Sequence, residues 1–285
     1  MLLEGNLGGI QHLGLPVMDV ARAKDWYTTK LGFKAVDEPV VNTDGGDVRM
    51  LFLARKGLVL EFWQPVGLAL SEITARGHGH IDHFAIDVTD VQRALADAQA
   101  RGIGLDLATP DGPVGIPQAW SKGVQYVFVT GSHGERIEFN QRLDLAGSRR
   151  PENLGGWSHL GIPVTDIEVS KRFYEAFGFR VKMEATVLAA AEDIKITILE
   201  KGGFSLEFYR LLAADLPEIR GRMDGRIDHF AMDVRDANQA FAELKAAGLK
   251  PLEDAPVDLP IGERGVRFFN VRGPDGEKME FNQRL

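Results

Sequence analysis

The sequence HIDHFAIDV at residues 80–88 returns as RIDHFAMDV at residues 226–234. In each copy, apolar and polar residues alternate with a period of two, as in a strand that buries one face. In the first copy Phe84 lies on the apolar face, whereas His83 and Asp87 share the other. So close a recurrence within one chain indicates an internal duplication.

The duplication extends along the whole chain. GGIQHLGLPVMD (8–19) corresponds to GGWSHLGIPVTD (155–166), LVLEFWQ (58–64) to FSLEFYR (204–210), and GERIEFNQRL (134–143) to GEKMEFNQRL (276–285). Between the copies, residues 144–154 are polar and contain Gly, Ser and Pro, which is typical of a linker. We therefore predict an N-terminal module at 1–143, a linker at 144–154 and a C-terminal module at 155–285.

Each module reads as two β-α-β-β-β units. The periodicities predict an α+β fold in which helices cover one face of a mixed sheet. The helices begin after aspartates such as Asp19 and Asp90, and end at glycines such as Gly32 and Gly102.

The composition limits the classes of partner. The chain has 285 residues, a net charge of −8 and no cysteine, so it has neither disulfides nor thiolate ligands. An acidic chain does not favour nucleic acid or an anionic membrane, and no apolar run reaches the roughly 20 residues that span a bilayer. The N-terminus is a poor signal peptide. We expect a soluble cytoplasmic protein that acts on a small molecule.

Histidines and glutamates recur at equivalent points of four strands in each module, always in the polar phase of the alternation. The eight residues are His12, Glu61, His83 and Glu138, and His159, Glu207, His229 and Glu280. If the sheet of a module curls, two imidazoles and two carboxylates converge on its free face, a ligand set that suits Zn, Ni, Co, Mn or Fe(II). The alternative is that these residues are the wetted polar face of a half-covered sheet. The helices have diverged between the modules while all eight positions are kept, and this favours metal sites.

At these residues the chain resembles the vicinal oxygen chelate superfamily, which includes glyoxalase I, methylmalonyl-CoA epimerase, extradiol dioxygenases and bleomycin resistance proteins. The motifs are HLGLPV-x-D before a helix that ends in LGF, IDHFA-x-DV, and GPDGEKMEF near the C-terminus. The resemblance implies that paired β-α-β-β-β units form curved eight-stranded sheets that hold a divalent metal. It also implies that the eight positions are ligand positions and that the substrate binds through two adjacent oxygens.

Among the chemistries of the superfamily, the four-ligand set matches the glyoxalase-type lyases, isomerases and epimerases. In these a metal stabilises an enediolate and a ligand glutamate moves a proton, and here Glu138 and Glu280 would be the bases. Asn140 and Asn282, with the adjacent Gln141 and Gln283, could hydrogen-bond substrate or be structural.

Dependence on glutathione is not expected. The two positions that contact glutathione in glyoxalase I hold Pro16 and Pro65 in the first module, and Pro163 and Leu211 in the second. A lyase or isomerase of another small oxygenated compound fits better.

Other functions within the superfamily stay open. An Fe(II) extradiol dioxygenase could use His159, His229 and Glu280, although Glu207 would crowd the coordination positions that O2 and a catechol need. A non-catalytic binding protein is disfavoured by the retained ligand positions. A homodimer is also an alternative, because relatives close their cups either within a chain or across two. His78, His80 and His133 lack partners in the second module and are predicted to be surface residues, although His78 or His80 could line the cup.

Overall fold

The structure is a computed structural model that describes residues 1–145, 152–187, 192–210 and 212–285. Most of the predicted linker, residues 146–151, and Leu211 lie outside the described residues. In the described residues, no helix has the length and apolar character needed to cross a membrane.

The N-terminal module contains two units, as predicted. Unit 1 consists of β1 (Leu7–Pro16), α1 (Val20–Leu31), β2 (Lys34–Asp37), β3 (Val40–Thr43), β4 (Gly46–Arg55) and β5 (Leu58–Gln64), followed by α2 (Leu68–Ala75). Unit 2 consists of β6 (His83–Val88), α3 (Val91–Ala100), β7 (Val114–Ile116), β8 (Val124–Thr130) and β9 (Arg136–Arg142).

The C-terminal module repeats this order. Unit 3 consists of β10 (Leu154–Pro163), α4 (Ile167–Ala176), β11 (Arg180–Val187), β12 (Ile194–Lys201) and β13 (Phe204–Arg210), followed by α5 (Leu216–Arg220). Unit 4 consists of β14 (His229–Val234), α6 (Ala237–Ala246), β15 (Val257–Leu259), β16 (Val266–Arg272) and β17 (Lys278–Arg284).

The main helices begin where the aspartates predict. The carboxylate of Asp19 accepts from the backbone N–H groups of Ala21 and Arg22, and Asp90, Asp166 and Asp236 cap their helices in the same way. A side-chain cap of this kind typically stabilises a helix by about 1 kcal/mol. At the end of α1, Gly32 takes the left-handed conformation with φ 72°.

The strands form two curved mixed sheets, which confirms the predicted α+β architecture. The first sheet has the order β15-β16-β17-β14-β1-β5-β4-β2, with β3 added against β4. The second has the order β11-β12-β13-β10-β6-β9-β8-β7. Each sheet is built from two β-α-β-β-β units, and each unit supplies one half of it.

The units pair across the two modules, and here the structure corrects an expectation. β1 of unit 1 pairs antiparallel with β14 of unit 4, and β10 of unit 3 pairs antiparallel with β6 of unit 2. A module therefore does not build a sheet of its own. Because the units are homologous, the edge strand of unit 1 meets a similar strand whichever module supplies it, so the sequence pattern allows both pairings.

The apolar faces of the strands pack against the helices. Phe62, Phe84, Phe208 and Phe230 are fully buried in one continuous core. The opposite, concave face of each sheet carries the histidines and glutamates. Each sheet is thus a cup with a hydrophobic outside, covered by helices, and a polar floor.

Candidate metal centres

The first sheet gathers four candidate residues on its four central strands, β17, β14, β1 and β5. We call His12, Glu61, His229 and Glu280 the A cluster. Nε2 of His12 lies 2.7 Å from Oε2 of Glu61 and 3.3 Å from Nε2 of His229. Both imidazoles lie 3.6 Å from a carboxylate oxygen of Glu280. Ligand atoms of His12, His229 and Glu280 lie within 4.8 Å of one another, and Glu61 adjoins both imidazoles.

The second sheet gathers the other four in the same way. We call His83, Glu138, His159 and Glu207 the B cluster, and all four offer ligand atoms within 4.8 Å of one another. Nε2 of His83 is 3.2 Å from Oε2 of Glu138 and 3.3 Å from Nε2 of His159. Nε2 of His159 lies 3.4 Å from Oε2 of Glu207.

All eight predicted residues therefore lie in clusters, but not in the predicted sets. Each cluster takes one histidine and one glutamate from each module, whereas the sequence pattern indicated one complete set per module. The exchange follows directly from the pairing of unit 1 with unit 4 and of unit 2 with unit 3.

Glycines make room for the imidazoles. In β1, Gly14 stands opposite His229, and a Cβ at Gly14 would collide with the His229 ring. Gly161 stands opposite His83 in the same relation. The glycine of the HLG motif is thus required by the histidine of the neighbouring strand, which comes from the other module.

An aspartate before each IDH histidine orients its ring. Nδ1 of His229 lies 3.2 Å from Oδ1 of Asp228, and Nδ1 of His83 lies 3.2 Å from Oδ2 of Asp82. A carboxylate at Nδ1 fixes the tautomer and leaves Nε2 free to coordinate a metal. The Nδ1 atoms of His12 and His159 instead contact neutral groups, Gln11 Oε1 at 3.1 Å and Ser158 Oγ at 3.2 Å.

Basic side chains hold these two aspartates. Asp228 accepts from Arg76 and Lys278, each at 2.7 Å, and Asp82 accepts from Arg136 at 2.7 Å. Arg222 also reaches Asp82, at 3.3 Å.

These supporting residues were not among the predicted ones. The signal was present, because EITARGHGHIDH (72–83) and EIRGRMDGRIDH (218–229) share Arg76 and Arg222 as well as the IDH triplet.

The mixed charges hold the carboxylates in their ionised form. Burial opposes ionisation of Glu61, but His12 and His229 outweigh it and lower the pKa of Glu61 to about 2. In the B cluster, His159 and His83 likewise lower the pKa of Glu207 to about 2. Burial acts against the charged form of His229 as well, yet Glu280 and Asp228 raise the pKa of that imidazole to about 10. The negative charge that raises the pKa of His229 would also favour a bound cation, which takes the place of the imidazole proton.

The amides beside the last glutamates have two separate roles. Asn282 donates to Oε1 of Glu280 at 2.8 Å, and Asn140 donates to Oε1 of Glu138 at 2.5 Å. Gln283 instead accepts from the first N–H of α6 at 2.9 Å, and Gln141 does the same for α3. The asparagines thus fix the orientation of the glutamates, whereas the glutamines are structural.

The A cluster opens into a cavity on each side. One, of about 290 Å³, is lined by Glu61, His229 and Glu280 together with apolar side chains such as Trp63 and Ile261. The other, of about 400 Å³, is lined by His12 and Glu61 and reaches Arg264. We call them the inner and the outer lobe.

The B cluster is more enclosed. A cavity of about 240 Å³ contacts His159 and Glu207, and it corresponds to the outer lobe of the A cluster. Its lining does not include Glu138, just as the outer lobe does not include Glu280. On this concave face, a buried apolar cluster that includes Ala119, Met183 and Ile196 fills space, with Tyr209 packed against it.

The remaining histidines lie outside both clusters. His78 is 4.0 Å from Asp106, His80 packs against Gly276, and His133 contacts Ser132 at 2.8 Å. All three are half-buried, more than a surface position predicts.

The donors suit a divalent metal ion. Two imidazoles and two carboxylates offer nitrogen and oxygen ligands to a borderline cation, and the Asp–His contacts supply the outer layer typical of metal centres. On donor chemistry, both clusters could hold such an ion.

The structure defines a class of protein in which paired β-α-β-β-β units form cups with histidines and glutamates on the floor. The sequence identifies the family within that class. The sequence model of the Glyoxalase/Bleomycin resistance protein/Dioxygenase superfamily matches residues 9–139 and 156–281. The chain belongs to this superfamily.

Individual relatives resemble parts or the whole of the chain. An uncharacterised protein of Bacillus subtilis, YwbC, is 29% identical over 128 residues, which cover 44% of this chain and 95% of that protein. Human mitochondrial methylmalonyl-CoA epimerase is 25% identical over 137 residues, 46% of this chain and 75% of the epimerase. The structure of glyoxalase I from Zea mays superposes with a TM-score of 0.69 at 19% identity, covering 96% of this chain and 92% of that one. The last likeness shows the fold alone.

Proposed function

We propose that the protein is a divalent-metal-dependent lyase, isomerase or epimerase of the glyoxalase type, with the A cluster as its working site. The reaction moves a proton beside a carbonyl of a small substrate that binds through two adjacent oxygens. The observation that carries this proposal is the access to the two equivalent glutamates. Glu280 lines a cavity together with Glu61, His229 and Asn270. At the corresponding place in the B cluster, Phe128 stands where the first sheet has Asn270 and packs against His83 at 4.9 Å.

The residues of the A cluster divide the work. His12, Glu61, His229 and Glu280 would hold the metal, which when bound polarises the substrate carbonyl and stabilises negative charge on its oxygen. Glu280 is the base. Its Oε1 is fixed by Asn282 at 2.8 Å, so its carboxylate keeps one orientation towards the inner lobe. General-base catalysis of this kind typically contributes about 10²–10⁴-fold.

The lobes indicate what the substrate carries beside its oxygens. The walls of the inner lobe include Val48, Met50, Trp63 and Phe268, which favour an apolar substituent. A polar remainder of the substrate would lie in the outer lobe, whose lining includes Glu263, Arg264 and Arg284. Glutathione is not part of the proposal, because Pro16 and Pro65 stand at the contact positions and have neither a charged nor an amide side chain.

The test combines metal analysis with proton exchange. Purified protein should contain up to two divalent ions per chain, or take them up from Co, Ni, Zn or Mn in a calorimetric titration. With small 2-hydroxy or 2-oxo carbonyl compounds, it should wash solvent deuterium into the carbon beside the carbonyl under anaerobic conditions. Failure to bind any of these metals would overturn the proposal. Ring cleavage of a catechol with stoichiometric O2 uptake would replace it with a dioxygenase. The triad of His159, His229 and Glu280 that the sequence offered is not assembled, because His159 lies in the B cluster, so a dioxygenase would use His12, His229 and Glu280.

A further inference from the structure

The two segments that lead into the IDH histidines cross each other between the sheets. Ile81 and Ile227 form an antiparallel bridge. Gly79 and Gly225 pack backbone against backbone, so that a Cβ on either glycine would collide with the other. The two segments therefore lie in direct contact, which brings residues of each segment within reach of the centre to which the other segment leads.

Arginines use this crossing to reach the other cluster. Arg76 lies in the segment that leads to His83 of the B cluster, yet it donates to Asp228 at 2.7 Å and to the carbonyl of Gly225 at 3.2 Å. Asp228 is the residue that orients His229 of the A cluster.

Arg222 makes the reciprocal contacts. It leads in sequence to His229, but donates to Asp82 at 3.3 Å and to the carbonyl of Gly79 at 3.1 Å. Asp82 orients His83 of the B cluster.

We infer that Arg76 is a positioning residue for the A cluster and Arg222 one for the B cluster. Each arginine fixes a buried aspartate, the aspartate fixes the Nδ1 side of an imidazole, and the imidazole presents Nε2 to the metal. Each centre is thus completed by an arginine from the segment that leads to the other centre. The inference rests on the proposed function only in taking the clusters as metal centres.

The two arginines should differ in how much each contributes to the metal affinity of its centre. Asp228 has Arg76 and Lys278 at equal distances of 2.7 Å, so Arg76 supplies one of two equivalent charges. Asp82 already has Arg136 at 2.7 Å, and Arg222 is farther away and also holds Glu218 at 2.9 Å. Loss of Arg76 should therefore cost its centre more than loss of Arg222 costs the other.

The experiment measures metal affinity in full-length chains that keep one cluster. His159→Gln leaves the A cluster intact, and His12→Gln leaves the B cluster intact. In the first background, Arg76→Gln should weaken Co²⁺ binding by roughly 10–100-fold, the usual cost of losing an outer-layer partner of a metal ligand. In the second background, Arg76→Gln should change the affinity less than about 2-fold, well below the cost of losing such a partner. Arg222→Gln should show the reverse pattern with a smaller loss.

Controls separate positioning from charge and folding. Arg220→Gln removes the same charge from an exposed site on α5 near Arg222 and should leave both affinities unchanged. Arg76→Lys keeps a donor at Asp228 and should recover part of the Co²⁺ affinity, and it serves if Arg76→Gln does not fold. Equal losses at both clusters, or a loss confined to the cluster that each arginine precedes in sequence, would overturn the inference while leaving the metal centres intact. No Co²⁺ binding in either background would overturn the proposed function and the inference with it.

Discussion

The A and B clusters share their ligands but not their surroundings. Both have two histidines, two glutamates, an Asp–His contact and an asparagine on the last glutamate. At the mouth of each cup, however, the loops before β16 and β8 differ: Gly262 in the first corresponds to Trp120 in the second. The guanidinium of Arg142 stacks on the Trp120 ring, 3.5 Å from its centroid. On the concave wall, Asn270 corresponds to Phe128, which packs edge-on against His83 at 4.9 Å.

Ligand residues and cavity walls therefore have separate requirements. A metal needs donors at fixed distances, which both clusters provide. Turnover also needs space beside the base, which the A cluster provides at Glu280. We therefore expect two metal centres of similar affinity and very unequal activity.

The largest expected effect is on the two equivalent bases. Glu280→Gln should lower kcat by about 10²–10⁴-fold, because the amide can still coordinate a metal but cannot accept the proton. Glu138→Gln should leave most of the activity. Steady-state rates and the rate of deuterium exchange check both variants. A large loss in Glu138→Gln and none in Glu280→Gln would reverse the assignment of the working site.

The next effect concerns the glycines opposite the histidines. Gly14→Ala would push the His229 ring out of place and should lower the metal affinity of the A cluster by about 10–100-fold, comparable with loss of an outer-layer contact. Gly161→Ala should act on His83 and the B cluster only. Calorimetric titration of each variant measures the loss. Gly9→Ala is the control, since nothing lies within 4 Å of a Cβ there.

Each module contains a buried Tyr–Glu pair, and the pair in the C-terminal module makes stability depend on pH. Tyr27 donates to Glu135 at 2.6 Å, and Tyr174 donates to Glu277 at 2.7 Å. Burial raises the pKa of Glu277 to about 7, above the roughly 4.3 of an unfolded chain. The stability that the protonated Glu277 contributes is therefore complete below pH 4.3, and is lost as the pH rises through about 7, roughly 3–4 kcal/mol.

Glu277→Gln should remove this part of the pH dependence. Urea unfolding of the wild type and the variant at pH 5 and pH 8 gives the difference. Tyr174→Phe is the control, because it keeps the carboxyl group and should keep the dependence. A wild type and a Glu277→Gln variant with parallel pH profiles would contradict the assignment.

The smallest effect concerns the mouth of the A cluster. Gly262 and Trp120 both have positive φ, 74° and 56°, so Gly262→Trp copies a conformation that the second sheet already adopts. The indole should close the outer lobe and raise KM by about 10-fold, roughly 1.4 kcal/mol of lost binding, with a smaller change in kcat. Unaltered KM would show that the substrate does not use this lobe.

The fold and the eight candidate residues could be read from the sequence because both depend on local patterns. Period-two alternation places His12, Glu61, His83 and Glu138 on the polar side of their strands, and the repeat identifies their counterparts. Aspartate caps and helix-ending glycines such as Gly32 fix where α1 begins and ends. These features depend on near neighbours in the chain, which is why sequence reasoning finds them.

Which residues share a centre depends on how the strands pair in the folded chain, and only the tertiary structure shows this pairing. The strands β6 and β14 have nearly the same sequence, so both present the same edge to β1, and no local pattern distinguishes them. In the folded chain the segments cross at Gly79 and Gly225, β14 pairs with β1 and β6 pairs with β10, and this pairing exchanges half of each ligand set between the modules. The same crossing brings Arg76 to Asp228. The difference between the open and the enclosed cup arises in the same way, because it depends on side chains that meet only after the sheets have curved.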